Sequence, residues 1–191
     1  MRLAFAITSL FPTGGLQRDC LAIARLLTVG GHEVTIVTAD YRQPVELGDV
    51  KLDIWRSNGF TRLSRMRDFA VRLAAAHGTF DRIVGFNKIP GIDVYYCADP
   101  PFAEIRRQRL GIGRLWPSAD VQMRNEGEVF GKASRTSLMM LAERQIEAYR
   151  SAWDTPAARF RVVPPTLVPA RRKPELRRTG RAAIRAALGI A

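Results

Sequence analysis

Between Leu3 and Val37 the hydrophobic pattern changes period twice, and this constrains the fold more than any other feature of the chain. Leu3–Ile7 is an unbroken apolar run ended by Pro12 and Gly14-Gly15, as a strand buried on both faces requires. Leu16, Cys20, Ile23, Ala24 and Leu27 then recur at helical spacing until Gly30-Gly31. Val34–Val37 returns to a β-rich run. Strand, helix and strand in so short a stretch form a βαβ unit, whose right-handed crossover makes the two strands parallel.

The alternation continues. Val50–Trp55 is a weaker third strand, and Leu63, Met66, Ala70 and Leu73 mark a helix. Ile83–Phe86 and Val94–Cys97 read as strands, Phe102–Leu110 and Val121–Phe130 as helices. Ser137–Leu141 is a strand, Glu143–Tyr149 a helix, and Phe160–Val163 the last strand. The expected fold is α/β, a Rossmann-like doubly wound parallel sheet over residues 1–165. Residues 166–191 are a Pro/Arg-rich linker in which Pro169 and Pro174 interrupt regular structure. Ala182–Leu188 reads there as the first helix of a further, truncated unit.

Charge narrows the function classes. The net charge is +12, but nine basic residues and one acid fall between Arg159 and Ala191, leaving 21 and 17 in residues 1–158. A mildly basic body with an arginine-rich tail argues against a nucleic-acid-binding domain. Two well-separated cysteines form no disulfide framework and suit a reducing cytoplasm, and with only two histidines a zinc site is not expected. The opening MRLAFAITSLF lacks a small-x-small cleavage site and reads as a buried strand, not a signal peptide. No run of 18 apolar residues occurs, so no membrane span is expected.

In an open parallel sheet, ligands bind outside the carboxyl ends of the strands. That rule selects the loops 11–19, 87–91 and 98–101. The first lacks G-x-G-x-x-G and a P-loop lysine, which disfavours a nicotinamide oxidoreductase and an ATP site. Gly14-Gly15 ahead of a helix either lets backbone N–H groups approach a phosphate or simply allows a tight turn. Asp19 either complements the dipole in the first helical turn or holds a sugar hydroxyl beside that anion. Asp99, before Pro100-Pro101, is either an Asx-turn residue or a carboxylate that orients or deprotonates an acceptor hydroxyl. In segment 102–116, Arg106, Arg107, Arg109 and Arg114 are interleaved with Phe102, Ile105, Leu110 and Trp116. That mixture is either an interfacial helix for anionic lipid or a solvated helix with a packed underside.

At these same loops the sequence resembles a known family. FPTGGLQRD (11–19), RIVGFNKIPGIDVY (82–95), LMML (138–141) and Pro164-Pro165 stand in the order and spacing of the lipopolysaccharide core glucosyltransferases, GT-B enzymes of family four. The resemblance implies the N-terminal, acceptor-side domain of a two-domain enzyme. It implies retaining transfer of glucose from UDP-glucose to the heptose region of the inner core, with no metal and no other cofactor. It also implies a peripheral position on the inner face of the bacterial inner membrane. Under it, Gly14 and Gly15 approach the donor diphosphate, Asp19 and Asp99 lie at the reacting sugar and acceptor, and Asn87 and Lys88 line the acceptor side. Arg106, Arg107, Arg109, Arg114 and Trp116 face the membrane.

Two departures bear on this expectation. Thr166 stands where the family usually has glycine, and the donor-binding domain is not within these 191 residues. Losing one charge-stabilising donor costs an enzyme about 3–4 kcal/mol of barrier, so the 191 residues alone are expected to be inactive or nearly so. The alternative function is a non-catalytic membrane-surface or lipid-glycan binding module on the same fold.

Overall fold

A computed structural model describes residues 1–108, 117–164 and 174–189. The elements in chain order are β1 (Arg2–Leu10), α1 (Gly15–Val29), β2 (Glu33–Tyr41), β3 (Lys51–Ile54), α2 (Arg62–Ala75), β4 (Arg82–Gly85) and β5 (Val94–Cys97). They continue with α3 (Phe102–Gln108), α4 (Pro117–Phe130), β6 (Ser137–Met140), α5 (Glu143–Trp153), β7 (Phe160–Val162) and α6 (Pro174–Ala187). The seven strands form one sheet in the order β3-β2-β1-β4-β5-β6-β7, and every neighbouring pair is parallel.

Alternation along β1 divides the core in two. Leu3, Phe5 and Ile7 point to one face, where Cys20, Leu21 and Ala24 of α1 cover them. Ala4 and Ala6 point to the other, in a cluster with Phe69 and Leu73 of α2, Phe130 of α4 and Tyr149 of α5. The small residues of β1 on this second face leave room for large rings. Phe130 stacks on Tyr149 at 3.7 Å, and Tyr95 meets Phe130 edge-on at 5.6 Å.

The doubly wound parallel sheet is therefore present, with local differences. β1 and β2 run past their apolar stretches to Leu10 and Tyr41, because Ile7 pairs with Thr38 and Ser9 with Asp40. The strands thus carry polar side chains to their carboxyl edge. α4 begins at Pro117, not Val121, and α6 at Pro174, not Ala182. Proline interrupts nothing at a helix's first position, since that N–H has no helical acceptor in any case. The expected boundary at 165/166 lies outside the described residues.

The chain proceeds outward from β1 to β3, then returns to place β4 on the other side of β1. Between β1 and β4 the connections diverge to opposite faces, and the crevice at that switch point is where such sheets bind ligands.

Candidate functional site

Loop 11–14 follows β1 and Phe86–Lys88 follow β4, so the two flank the switch-point crevice. A side chain closes the gap between them. β4 pairs with β1 only as far as Ala6–Gly85, and beyond that Asn87 continues the ladder. Its Oδ1 accepts hydrogen bonds from the Thr8 backbone N–H at 2.8 Å and the Thr8 hydroxyl at 3.1 Å.

Gly14 caps α1 without any side-chain hydrogen bond, so no side chain satisfies the helix's first N–H groups. The two glycines play different parts. A Cβ on Gly14 would fall 1.8 Å from Gln17 Oε1, and the Gln17 amide donates to the Ser9 carbonyl at 3.1 Å. Gly14 thus makes room for the side chain that ties the loop to β1. A Cβ on Gly15 would meet nothing within 4 Å, and this residue is the exposed one.

Asp19 sits beyond the first turn of α1, which contains no acid; the helix-dipole reading is set aside. The Tyr96 hydroxyl donates to its Oδ2 at 3.0 Å, joining α1 to β5. Burial of Tyr96, and then the neighbouring Asp19 charge, push the phenol above its ordinary range. Asp99 differs in kind. Its side chain is exposed and takes no hydrogen bond or ion pair from the described residues. Its backbone is held, because the Tyr149 hydroxyl donates to the Asp99 carbonyl at 3.0 Å.

Lys88 does not present a free cation. Its Nζ donates to Glu126 Oε2 at 2.6 Å and to the Pro100 carbonyl at 2.9 Å, and lies 5.3 Å from the Tyr149 ring centre. Glu126, on α4, is fully buried. Its carboxylate also accepts from the backbone N–H groups of Phe102 and Ala103, at 2.6 and 3.0 Å, and from Trp153 Nε1 at 2.9 Å. One carboxylate therefore joins the β4 loop, the start of α3, and α5, and it anchors the α3 end of the loop that carries Asp99. Sequence reading missed this residue, since the run RNEGEVF has the polarity of an ordinary solvated helix face. Of Asn87 and Lys88, expected on the acceptor side, Lys88 spends its ammonium on the protein and Asn87 its amide oxygen. As the structure stands they position the rim.

Of the arginines expected at a membrane, Arg106 is paired with Asp120 at 2.9 Å, which ties α3 to α4. Arg107 lies in α3, while Arg109, Arg114 and Trp116 fall outside the described residues. Among the described residues, no helix is long and apolar enough to cross a membrane, and no three metal-ligating side chains cluster. An open cleft of about 540 Å³ is lined by Met123, Arg124, Gly127, Ser134 and Trp153. It adjoins the turn into β6, at the amino end of the sheet, away from these loops.

The seven-stranded parallel sheet with its flanking helices is the Rossmann-like fold of one half of a GT-B glycosyltransferase. The particular likeness is to the lipopolysaccharide glucosyltransferase WaaG of Escherichia coli strain K12, 34% identical over 180 residues. That alignment takes in 92% of this chain and 47% of WaaG, so the chain spans about half the length of the curated relative it matches. The crystal structure of WaaG superposes with a TM-score of 0.82 at 31% identity, covering 95% of this chain and 50% of that one. Anabaena HepE, crystallised with UDP and glucose, gives a TM-score of 0.56 at 12% identity, covering 94% of this chain and 50% of HepE, a likeness of fold alone. No family model matches. The chain is thus similar to about half of the glycosyltransferase WaaG in both sequence and fold.

Proposed function

We propose that the chain is the acceptor-side half of a retaining glycosyltransferase that moves glucose from UDP-glucose to the heptose region of the lipopolysaccharide inner core. The observation that carries this reading is the 34% identity to WaaG across 92% of the chain. The geometry supports it. Asp99 holds an unpartnered carboxylate at the rim, on a loop locked from below by Tyr149 and Glu126. A carboxylate so placed accepts a hydrogen bond from an acceptor hydroxyl and draws off its proton as the new bond forms. The open approach to Gly15 and the positive end of α1 suit the diphosphate of the leaving UDP. Asp19, whose second oxygen takes no hydrogen bond from the described residues, completes the polar rim beside the reacting sugar.

No metal enters this scheme. The charge on the departing diphosphate is met by backbone amides and by basic residues of a donor-binding domain outside these residues. The location follows the substrate, at the cytoplasmic face of the inner membrane, with the segment 102–116 turned to anionic lipid.

The test begins with the gene product purified from its native cells. Its intact mass is read first, against 21.4 kDa for these 191 residues, and glucose transfer to heptose-terminated core lipopolysaccharide is then assayed. The native product is expected to transfer glucose from UDP-glucose. Asp99→Asn in the same product is expected to lower kcat by about 100-fold or more, the usual size of a lost general base. Failure of the native product to glucosylate any heptose-bearing acceptor overturns the reaction. An unchanged kcat in Asp99→Asn overturns the role of that carboxylate.

A further inference from the structure

The loop between β3 and α2 displays a phenylalanine to solvent and holds it there. Phe60 is 102% exposed, as accessible as in an extended chain. Its surroundings are fixed. The Gly59 N–H donates to the Ser57 hydroxyl at 3.0 Å, and that hydroxyl is bonded in turn to the Asp68 carboxylate. On the other side, Thr61 and Ser64 form a reciprocal capping box, with the Ser64 N–H on Thr61 Oγ1 at 3.0 Å and the Thr61 N–H on Ser64 Oγ at 3.1 Å. Gly59 packs so closely on the first turn of α2 that a Cβ there would lie 2.4 Å from Ser64 Oγ and 3.0 Å from the Arg65 nitrogen. A ring exposed by a loose tail needs no explanation, but this one is presented by a loop tied down on both sides.

The charge around the ring is predominantly positive. Arg56, Arg62, Arg65 and Arg67 are exposed, and none of their guanidinium groups pairs with an acid among the described residues. The acid of the segment, Asp68, is already engaged by Ser57. The loop leaves the carboxyl end of β3, the edge strand, and α2 packs on the same face of the sheet as α4 and α5, against which α3 lies. Phe60 and the start of α3 therefore share one rim and one face. Their strands, β3 and β5, are four places apart, or ~19 Å at the usual ~4.8 Å spacing.

We infer that Phe60, with Arg56, Arg62 and Arg65, docks the domain on an anionic lipid surface, the ring entering the headgroup layer while the guanidinium groups pair with lipid phosphates. An apolar ring inside a cationic collar matches the two layers of such a surface. This deepens the membrane-surface part of the proposed function. It is read without sugar transfer, so failure of either leaves the other open to its own test.

The chain itself supplies a clean probe. Cys20 and Cys97 are both fully buried, so a cysteine in place of Phe60 is the accessible thiol for an environment-sensitive fluorophore. Phe60→Cys carrying that dye is titrated with vesicles of phosphatidylglycerol and phosphatidylcholine, with Ala158→Cys beside the opposite edge strand as reference. Emission at position 60 is expected to shift to the blue on anionic vesicles and to stay unchanged at position 158. In co-sedimentation of unlabelled chain, Phe60→Ser is expected to lower partitioning about tenfold. Arg62→Ala with Arg65→Ala is expected to lower it about 30-fold, at roughly fivefold per arginine. The arginine loss should fade at high salt, as the screening length contracts, while the Phe60→Ser loss, which is apolar, should persist. The inference is overturned if the dye at position 60 stays in water while the chain binds vesicles, or if the chain ignores anionic vesicles altogether. It also falls if the variants partition like wild type, or if the dye responds only to another protein.

Discussion

Removing the Glu126 side chain strips four donors of their acceptor at once. In Glu126→Ala the Lys88 ammonium, with only 14% of its side chain exposed, loses its counter-charge. The N–H groups of Phe102 and Ala103 and the Trp153 indole N–H lose their partner as well. Breaking a buried ion pair from one side costs about 3–5 kcal/mol, chiefly because the surviving charge is left uncompensated. For a domain of this size that corresponds to a fall in Tm of roughly 6–20 °C. Urea denaturation of the 191-residue chain measures it directly. Lys88→Met isolates the charge: the double variant Glu126→Ala, Lys88→Met is expected to lose less than the two single losses together, because no ion then remains buried. A coupling energy of about 1–3 kcal/mol is the expected size for two groups in direct contact. A loss below about 1 kcal/mol in Glu126→Ala, or strict additivity in the cycle, would refute the reasoning. Glu126 would then be solvated and the rim held by something else.

Three further outcomes follow from the same structure. Gly127→Ala should destabilise by about 1–3 kcal/mol, since its Cβ would lie 2.8 Å from a Trp153 ring atom, whereas Gly15→Ala meets nothing and should be neutral or stabilising by up to ~1 kcal/mol; chemical denaturation compares them. Asn87→Ala should speed hydrogen exchange at the Thr8 amide and cost about 1–3 kcal/mol, while Asn87→Asp keeps the acceptor and most of the protection; equal exchange in both variants would count against the side-chain ladder. Burial pushes the Cys97 thiol up to about 11, and Cys20 higher still, so neither should react with a thiol reagent near neutral pH until the chain unfolds. Rapid reaction of the folded chain would contradict that core.

Legibility in the sequence followed the range of the interaction that fixed each feature. Asp99 and the glycine pair are legible as candidates because strand ends and helix starts are local signals, and the carboxyl-edge rule turns them into candidate sites. The helix-start signals at Pro117 and Pro174 are also local: the apolar periodicity begins only at Val121 in the first, and in the second Pro174 reads as a breaker where it begins a helix. Asn87 and Lys88 were picked out, but their partners lie 79 and 38 residues away in sequence, so whether they face a ligand or the protein was not readable. Glu126 left no local trace, because a buried acid and a solvated one look alike on a polar helix.

The sequence by itself determined the layering. The alternation of apolar runs with 3.6-residue periodicity demands parallel strands covered by helices, and chirality fixes the hand of each crossover. It also determined which loops reach the ligand-binding edge, since in a parallel sheet every strand ends on the same side. Tertiary structure alone decided which polar groups on that edge stay free. Lys88, the amide oxygen of Asn87 and Arg106 are engaged by Glu126, Thr8 and Asp120, while Asp99 is left open and Phe60 is held in solvent. A hydrogen bond or ion pair is settled by a few tenths of an ångström between groups far apart in the chain. Periodicity, which records only which side of an element faces the core, carries no such distance.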